Sequence, residues 1–207
     1  GDQTGSDSRY GGGAEALLFS PDGTDIRFLA SDRGDTHVYS ISLSTRKVTQ
    51  LTTGHLHIQS MSSSKDGKRM VVAAATHMHP ADLFLFGEGH VLRRLTAVNQ
   101  ELLNAVALSE PEEFWCHSTD EQKIHGWIMK PTNFVPGEKY PLVLEIHGGP
   151  HTQYGCTFFM QFQLWANNGY GVLFTNPRGS HGYGQAFANA VRGDYGGGDF
   201  RDLMCAV

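Results

Sequence analysis

The stretch from Tyr140 to His151 constrains this chain more than any other part of its 207 residues. It starts with a short apolar run, Leu142 to Ile146, and passes through His147 into the turn-forming sequence Gly148-Gly-Pro150. An apolar run of this length, closed by glycine and proline, predicts a buried strand that stops abruptly in a loop. Because loops at the carboxyl ends of such strands hold the ligands of open α/β sheets, we expect a functional site here.

The adjacent glycines Gly148 and Gly149 predict an unusual loop conformation. Residues without a Cβ atom permit backbone angles that other residues avoid, and they leave their N–H groups open to a reacting group. A strand followed by His-Gly-Gly is the oxyanion-loop pattern of α/β-hydrolases, where a backbone N–H stabilises the negative charge of a tetrahedral intermediate. We therefore interpret Gly149, with its neighbour Gly148, as the catalytic candidates. A glycine-rich turn that binds nothing is the alternative on these residues alone.

Further motifs occur around this region in a fixed order. They are Gly126-Trp-Ile-Met-Lys-Pro131, Tyr140-Pro141, His147-Gly-Gly-Pro-His151, Thr175-Asn-Pro-Arg-Gly-Ser180, Gly182-Tyr-Gly184, and Arg192-Gly-Asp194 with Gly197-Gly-Asp199. In order and spacing, the chain resembles the prolyl oligopeptidase family of serine peptidases, and within it the acylaminoacyl peptidase and dipeptidyl aminopeptidase branch. The resemblance covers essentially the whole chain after its N-terminal lead-in.

The resemblance implies a β-propeller followed by the N-terminal half of an α/β-hydrolase domain, a mostly parallel sheet with helices. It implies hydrolysis of short peptides through an acyl-enzyme, with His147 and Arg178 as candidate substrate-binding residues. An arginine beside an oxyanion loop can also fork to a carboxylate or to main-chain carbonyls. For Arg178 we favour that structural role, in which it pins the loop at residues 176–184 to its neighbours.

The sequence contains no Gly-x-Ser-x-Gly, the turn that presents the nucleophile in serine hydrolases of this fold. In the most similar segment, Arg178 replaces the first glycine, and the adjacent side chains of Ser180 and His181 do not form a triad. In the resembling family the nucleophile, the aspartate and the histidine follow the helix that begins at Asp199. We therefore expect a fragment that is inactive by itself, in which Ser180 is not the nucleophile.

An internal repeat occupies the N-terminal half. Ser20-Pro-Asp-Gly23 recurs as Ser64-Lys-Asp-Gly67, and Leu51-Thr52 recurs as Leu95-Thr96, both at an offset of 44 residues. Two landmarks with one offset in this range predict four-stranded propeller blades. We expect a disordered lead-in at 1–13, a partial propeller at 14–110 with blades near 14–56 and 57–100, and part of the hydrolase domain at 111–207.

Two helices are predicted after the oxyanion strand. The first carries one apolar stripe and ends at Asn168-Gly169, and the second begins with Asp199 as its N-cap. The apolar positions are Phe158, Phe162, Trp165 and Ala166 in the first helix, and Phe200, Leu203, Met204 and Val207 in the second. Between the helices, we expect Arg192 and Asp194 to form a local charge pair.

Bulk properties limit the partners. The net charge of −5 does not indicate a basic surface that would bind nucleic acid. No apolar run is long enough for a membrane span. Three cysteines without a Cys-x-x-Cys pair favour a reducing compartment, so we expect a cytoplasmic protein. We expect a short peptide as substrate, no metal and no cofactor, and a possible homo-oligomer. The alternatives are a non-catalytic, propeller-type peptide-binding module and an esterase of the same fold.

Overall fold

The structure is a computed structural model that describes residues 17–87 and 91–207. The expected disordered lead-in at 1–13 lies outside the described residues. The described chain divides into two compact units. The first unit holds residues up to Glu101 together with Gly155–Phe158, and the second unit holds Leu102–Tyr154 and Phe159–Val207. In the described ranges, no helix is long and apolar enough to cross a lipid bilayer.

The first unit contains two four-stranded antiparallel meanders, one for each copy of the repeat. The strands of the first are β1 (Leu18–Phe19), β2 (Asp25–Asp32), β3 (Asp35–Ser42) and β4 (Val48–Gln50). Those of the second are β5 (His57–Ser63), β6 (Met70–Ala75), β7 (Asp82–Phe86) and β8 (Leu92–Arg94). The meanders meet where β3 and β5 pair in parallel, Thr36 beside His57. The sequence repeat is therefore also a repeat of structure.

Short-range hydrogen bonds form the equivalent turns of the two copies. Ser20 Oγ donates to Asp22 at 2.6 Å, and Ser64 Oγ donates to Asp66 at the same distance. The glycine that follows each aspartate has a positive φ, +71° in the first copy and +67° in the second, which glycine adopts without steric cost. Apolar side chains that alternate along the strands form one core, which includes Leu29, Val38, Ile58, Met70 and Val72.

The second unit is built on a four-stranded sheet in the order β11-β12-β10-β9. Its strands are β9 (Glu112–His117), β10 (Lys123–Met129), β11 (Leu142–Glu145) and β12 (Gly171–Asn176). Among the described strands of this sheet, β11 and β12 pair in parallel, whereas β10 is antiparallel to both of its neighbours. Within the described residues the sheet is therefore mixed rather than mostly parallel, because a short turn joins β9 to β10 and forces an antiparallel pair.

The helices are α1 (Gln100–Ala105), α2 (Met160–Asn167), α3 (Gln185–Asn189) and α4 (Gly198–Ala206). Helix α2 buries Phe162 and Ala166 in a cluster with Phe174 of β12, as its apolar spacing predicts, and Trp165 packs against this cluster. The predicted fourth position, Phe158, is wrong, because the helix begins only at Met160. Gly169 follows the helix with a φ of +85°, the left-handed conformation that ends helices. The packing of α2 against β12, together with the pairing of β12 with β11, fixes the positions of the carboxyl ends of both strands.

The predicted start of α4 is wrong. The helix begins at Gly198 with Gly197 as its N-cap, so Asp199 lies inside the first turn. The carboxylate of Asp194 accepts the N–H of Gly198 at 2.8 Å and satisfies one of the free donors of the helix start. Asp194 also lies 3.7 Å from Arg201, and the described residues show no ion pair between Asp194 and Arg192. The expected charge pair is thus replaced by a helix cap.

The predicted apolar stripe of α4 is also wrong. Leu203 is buried, but Phe200, Met204 and Val207 are largely exposed. The buried face of the helix instead includes Asp202, whose exposed fraction is 0%. A carboxylate can be buried there because an arginine pairs with it, a long-range contact that helical periodicity does not reveal.

Candidate active-site loops

Two loops leave the same edge of the sheet because β11 and β12 are parallel. The loop after β11, residues 146–154, is called the His-Gly-Gly loop, and the loop after β12, residues 177–184, is called the Pro-Arg loop. Both follow strands whose partners are fixed by backbone hydrogen bonds, so their first residues have fixed positions. Their side chains and backbone groups contact each other at several points, and together they form the candidate site.

The two glycines of the His-Gly-Gly loop differ in their surroundings. Gly149 has a φ of +130°, and a Cβ atom there would lie 2.8 Å from Thr152 Cγ2 and 2.9 Å from the backbone nitrogen of His151. Gly148 has no atom within 4 Å of its Cβ position. Both residues are exposed, and within the described chain neither N–H donates to a backbone acceptor. The loop therefore requires glycine at position 149, and both glycines are accessible from solvent.

The imidazole of His147 joins the two loops. Its Nε2 lies 3.0 Å from Ser180 Oγ, and Ser180 Oγ donates its hydrogen to the carbonyl of Pro177 at 2.7 Å. Because a hydroxyl has one hydrogen, Ser180 accepts from the Nε2–H of His147. The Nδ1 of His147 lies 3.0 Å from both Thr152 Oγ1 and the carbonyl of Gly148. The ring, which is 9% exposed, holds the His-Gly-Gly loop in place.

The geometry at Ser180 differs from that of an activated nucleophile. A serine activated by histidine donates its hydrogen to the ring nitrogen. The hydrogen bond from His147 to Ser180 has the opposite direction, and the exposed fraction of Ser180 is 0%. Ser180 is thus a connecting residue between the loops, although it has a histidine partner at 3.0 Å.

Asn176, the last residue of β12, is a site residue that the sequence analysis missed. Its side-chain amide accepts the N–H of Tyr154 at 2.7 Å and donates to the carbonyl of Tyr154 at 2.8 Å. It also donates to the hydroxyl of Tyr183 at 2.8 Å, and that hydroxyl lies 2.8 Å from His125 Nδ1. An asparagine that ends a buried apolar strand was the available signal. Its amide fixes the far end of the His-Gly-Gly loop.

Two further contacts connect the loops at their tips. The backbone N–H of His181 donates to the carbonyl of Thr152 at 2.8 Å, and His151 Nδ1 lies 3.0 Å from the carbonyl of Gly179. The rings of His151 and His181 are nearly parallel, with centroids 5.6 Å apart. The Pro-Arg loop therefore supports the His-Gly-Gly loop along its whole length.

Arg178 anchors the Pro-Arg loop to two other elements. Its Nε and Nη2 donate to the two carboxylate oxygens of Asp202 in α4, at 2.8 and 2.7 Å. Its Nη1 and Nη2 donate to the two oxygens of Asp120 in the β9–β10 turn, both at 2.8 Å. These hydrogen bonds, first to Asp202 and then to Asp120, raise the pKa of Arg178. The guanidinium lowers the pKa of Asp120 to about 2. Four donor contacts of the guanidinium are thus made to protein carboxylates.

The chain is similar to known peptidases. A sequence model described as the prolyl oligopeptidase family matches residues 156–207. An uncharacterized peptidase, YuxL, of Bacillus subtilis is 38% identical over 201 residues, which cover 97% of this chain and 30% of that protein. Dipeptidyl-peptidase 5 of Porphyromonas gingivalis is 30% identical over 198 residues, which cover 93% of this chain and 28% of that protein.

Solved structures of peptidases are also similar to this chain. The acylaminoacyl peptidase of Pyrococcus horikoshii superposes with a TM-score of 0.78 at 30% identity, covering 88% of this chain and 28% of that one. An acylaminoacyl peptidase in complex with Z-Gly-Gly-Phe-chloromethyl ketone superposes with a TM-score of 0.79 at 31% identity and the same coverage. The chain spans 28% to 30% of the length of these two curated relatives and two structures. The resemblance of the sequence to the prolyl oligopeptidase family of serine peptidases is thereby confirmed along almost the whole chain.

Proposed function

We propose that this chain is part of a serine peptidase that hydrolyses short peptides through an acyl-enzyme, as acylaminoacyl and dipeptidyl peptidases do. The observation that carries the proposal is the clamped His-Gly-Gly loop at the carboxyl edge of β11, in which Gly148 and Gly149 are exposed and their N–H groups have no backbone acceptor within the described residues. The similarity to peptidases over nearly the full chain supports it.

In this proposal the loop supplies half of an oxyanion hole. The N–H of Gly149, with that of Gly148 beside it, donates to the oxyanion of the tetrahedral intermediate and stabilises charge that develops in the transition state. The sequence has no Gly-x-Ser-x-Gly, so the nucleophile, its histidine and aspartate, and the second N–H donor would come from residues outside the 207 of this chain. The chain alone is then inactive.

The proposed roles of His147 and Arg178 are indirect. His147 fixes the His-Gly-Gly loop through Ser180, and Arg178 fixes the Pro-Arg loop through Asp202 and Asp120. Since both side chains are occupied by protein partners, we propose that they serve substrate binding by positioning the loops. Each is a positioning residue, and the peptide itself contacts the exposed face of the glycines.

The fold proposal has two parts. The two four-stranded meanders are blades of a β-propeller that extends over residues 14–110, with one blade near 14–56 and the next near 57–100. Residues 111–207 are the N-terminal part of an α/β-hydrolase domain, in which β11 and β12 are parallel strands of the central sheet. We further propose a cytoplasmic location, which the three free cysteines support.

The function is tested with the longer protein to which the chain belongs. We expect covalent labelling by a fluorophosphonate and turnover of acyl-aminoacyl or dipeptidyl chromogenic substrates, with no labelling of the 207-residue chain. Peptide binding without labelling of the longer protein would favour a non-catalytic module, and turnover of simple esters alone would favour an esterase. Labelling of the 207-residue chain that is lost in Ser180→Ala would contradict the assignment of Ser180 as a connecting residue.

A further inference from the structure

Two cysteines of the second unit face each other across two elements. Cys116 lies on β9 and Cys205 lies on α4, 89 positions later in the chain, and their sulfur atoms are 3.1 Å apart. Both thiols are free and partly exposed. The third cysteine, Cys156, is buried in the first unit. The pair is thus separate from Cys156, and the site described above uses neither sulfur.

The distance between the two sulfur atoms is short enough for a disulfide to form after a small movement. An S–S bond is ~2.05 Å long, so the two sulfurs need to approach by only about 1 Å to form one. Both residues lie on regular elements whose positions are set by the sheet and by packing of α4 against β9 and β10, so the sulfurs remain near each other. Partial exposure gives a small oxidant access to the pair.

We propose that Cys116 and Cys205 form a dithiol that a small-molecule disulfide, such as oxidised glutathione, converts into a disulfide bond between β9 and α4. The thiolate of Cys116 attacks one sulfur of the small disulfide, and the other half leaves as a thiolate. Cys205 then gives its proton to solvent and attacks Cys116 Sγ, which releases the second half. The protein loses two electrons and two protons, and the small disulfide gains them as two small thiols.

The surroundings of Cys205 support this order of events. Burial, followed by the contact with Cys116, raises the pKa of the Cys205 thiol to about 12. The S–H of Cys205 donates to the carbonyl of Asp202 at 3.0 Å. Cys205 is therefore protonated at neutral pH, and because a thiolate is the attacking species, we assign the first attack to Cys116.

The bond would lie near the ion pairs that Arg178 makes. Cys116 lies on β9 and Asp120 in the turn that follows β9, while Asp202 precedes Cys205 by about one helical turn in α4. The ionic cross-link through Arg178 and the covalent one through the cysteines are thus parallel. The disulfide would restrain α4 against β9. It would therefore also restrain Asp202, whose carboxylate anchors the Pro-Arg loop through Arg178.

The test is oxidation of the wild-type chain by glutathione buffers of increasing potential, followed by peptide mapping without reduction. Trypsin releases Cys116 in peptide 95–123, Cys205 in 202–207 and Cys156 in 140–178, so every pairing gives a distinct product. We expect 95–123 linked to 202–207 in the monomeric fraction, and a fall from three free thiols to one. Wild-type protein that keeps three thiols, or that links only between chains or through Cys156, would overturn the proposal.

Variants provide the controls. Cys156→Ser is expected to form the linked peptide like the wild type, whereas Cys116→Ser and Cys205→Ser are expected to form none. The oxidised wild type is expected to melt several degrees above the reduced form, since the bond closes a long loop. The melting temperature of Cys116→Ser is expected not to rise with the oxidant. Equal melting temperatures for a fully linked and a reduced wild type would refute the claim that the bond holds α4.

Discussion

The two units of the chain differ in the sequence distance over which their characteristic polar contacts are made. In the first unit, the repeated turns are made by residues two positions apart, such as Ser20 with Asp22, and side-chain contacts between strands reach 21 positions, as in His57 with Thr36. In the second unit, the loops of the candidate site are held by contacts across 33 positions, His147 with Ser180, and across 58 positions, Arg178 with Asp120. The first unit therefore repeats its structure locally, and the second unit builds its site from distant segments.

This difference explains which groups are free to act. The turns of the meanders satisfy their own polar groups and recur wherever the motif recurs. In the second unit, long-range partners occupy His147, Asn176 and Arg178, and the described residues provide no backbone acceptor for the N–H groups of Gly148 and Gly149. Under the proposed function, these N–H groups would act on the substrate, and the side chains around them would position the loop.

The largest predicted effect comes from breaking the buried ion pair of the second unit. Asp202→Asn removes the fully buried charge that faces Arg178, and breaking such a pair typically costs about 3–5 kcal/mol. Urea unfolding is followed by tryptophan fluorescence, which reports the second unit because Trp115, Trp127 and Trp165 lie there, and by circular dichroism, which reports both units. As the matched control, Asp32→Asn disrupts an exposed pair with Arg33 in the first unit and should cost roughly 0–1 kcal/mol. Similar losses in both variants would contradict the comparison.

A second prediction concerns the far end of the His-Gly-Gly loop. Asn176→Ala leaves the N–H and C=O of Tyr154 without their partner, and a buried polar group left unsatisfied costs about 1–3 kcal/mol. The same urea experiment measures this loss, and Asn189→Ala, at an exposed position of α3, is expected to change stability by less than about 0.5 kcal/mol. Equal stability of Asn176→Ala and the wild type would remove Asn176 from the support of the loop.

A third prediction concerns pH and the first unit. Burial lowers the pKa of His57 to about 4. Below pH 6.5 the unfolded chain takes up a proton that folded His57 does not, so its contribution to stability is present above pH 6.5 and is lost as pH falls towards 4. Between pH 7 and pH 5 this loss is about 2 kcal/mol.

Thermal unfolding followed by circular dichroism at both pH values measures this loss. His57→Gln should lose less stability than the wild type on acidification, while His55→Gln, at an exposed position, should behave like the wild type. If His57→Gln and the wild type lose stability equally, buried neutral His57 is not the cause.

Sequence patterns predicted the parts of the fold that local rules determine. The offset of 44 residues identified the two meanders, because Asp22 and Asp66 make the same turn, and Gly169 marked the end of α2. The start of α4 was wrong because Asp194, a residue outside the helix, caps it. Asp194 is only four positions before Gly198, but the spacing of apolar residues along the helix does not show which nearby carboxylate accepts its first N–H.

The candidate site could be predicted only in part for the same reason. The His-Gly-Gly sequence was sufficient to locate the loop, since glycine is required where φ is +130° at Gly149. Asn176 and the Cys116–Cys205 pair depend on partners 22 and 89 positions away, which spacing in one sequence does not reveal. That Ser180 is not the nucleophile stays a prediction, and the contact of Ser180 with His147, 33 positions away, was not predicted from the sequence.

The central claim is that the backbone of the His-Gly-Gly loop stabilises the transition state, and kinetics of two matched glycine variants test it most directly. Gly149→Ala and Gly137→Ala both place a side chain at a positive φ, +130° and +91°, but only Gly149 lies in the loop. In the longer, active protein, we predict that Gly149→Ala lowers kcat by about 10²- to 10³-fold with a smaller change in KM. Gly137→Ala should keep the wild-type kcat and lose less melting temperature than Gly149→Ala, because no atom lies within 4 Å of its Cβ position. Equal kcat values for the two variants, both folded, would contradict the claim.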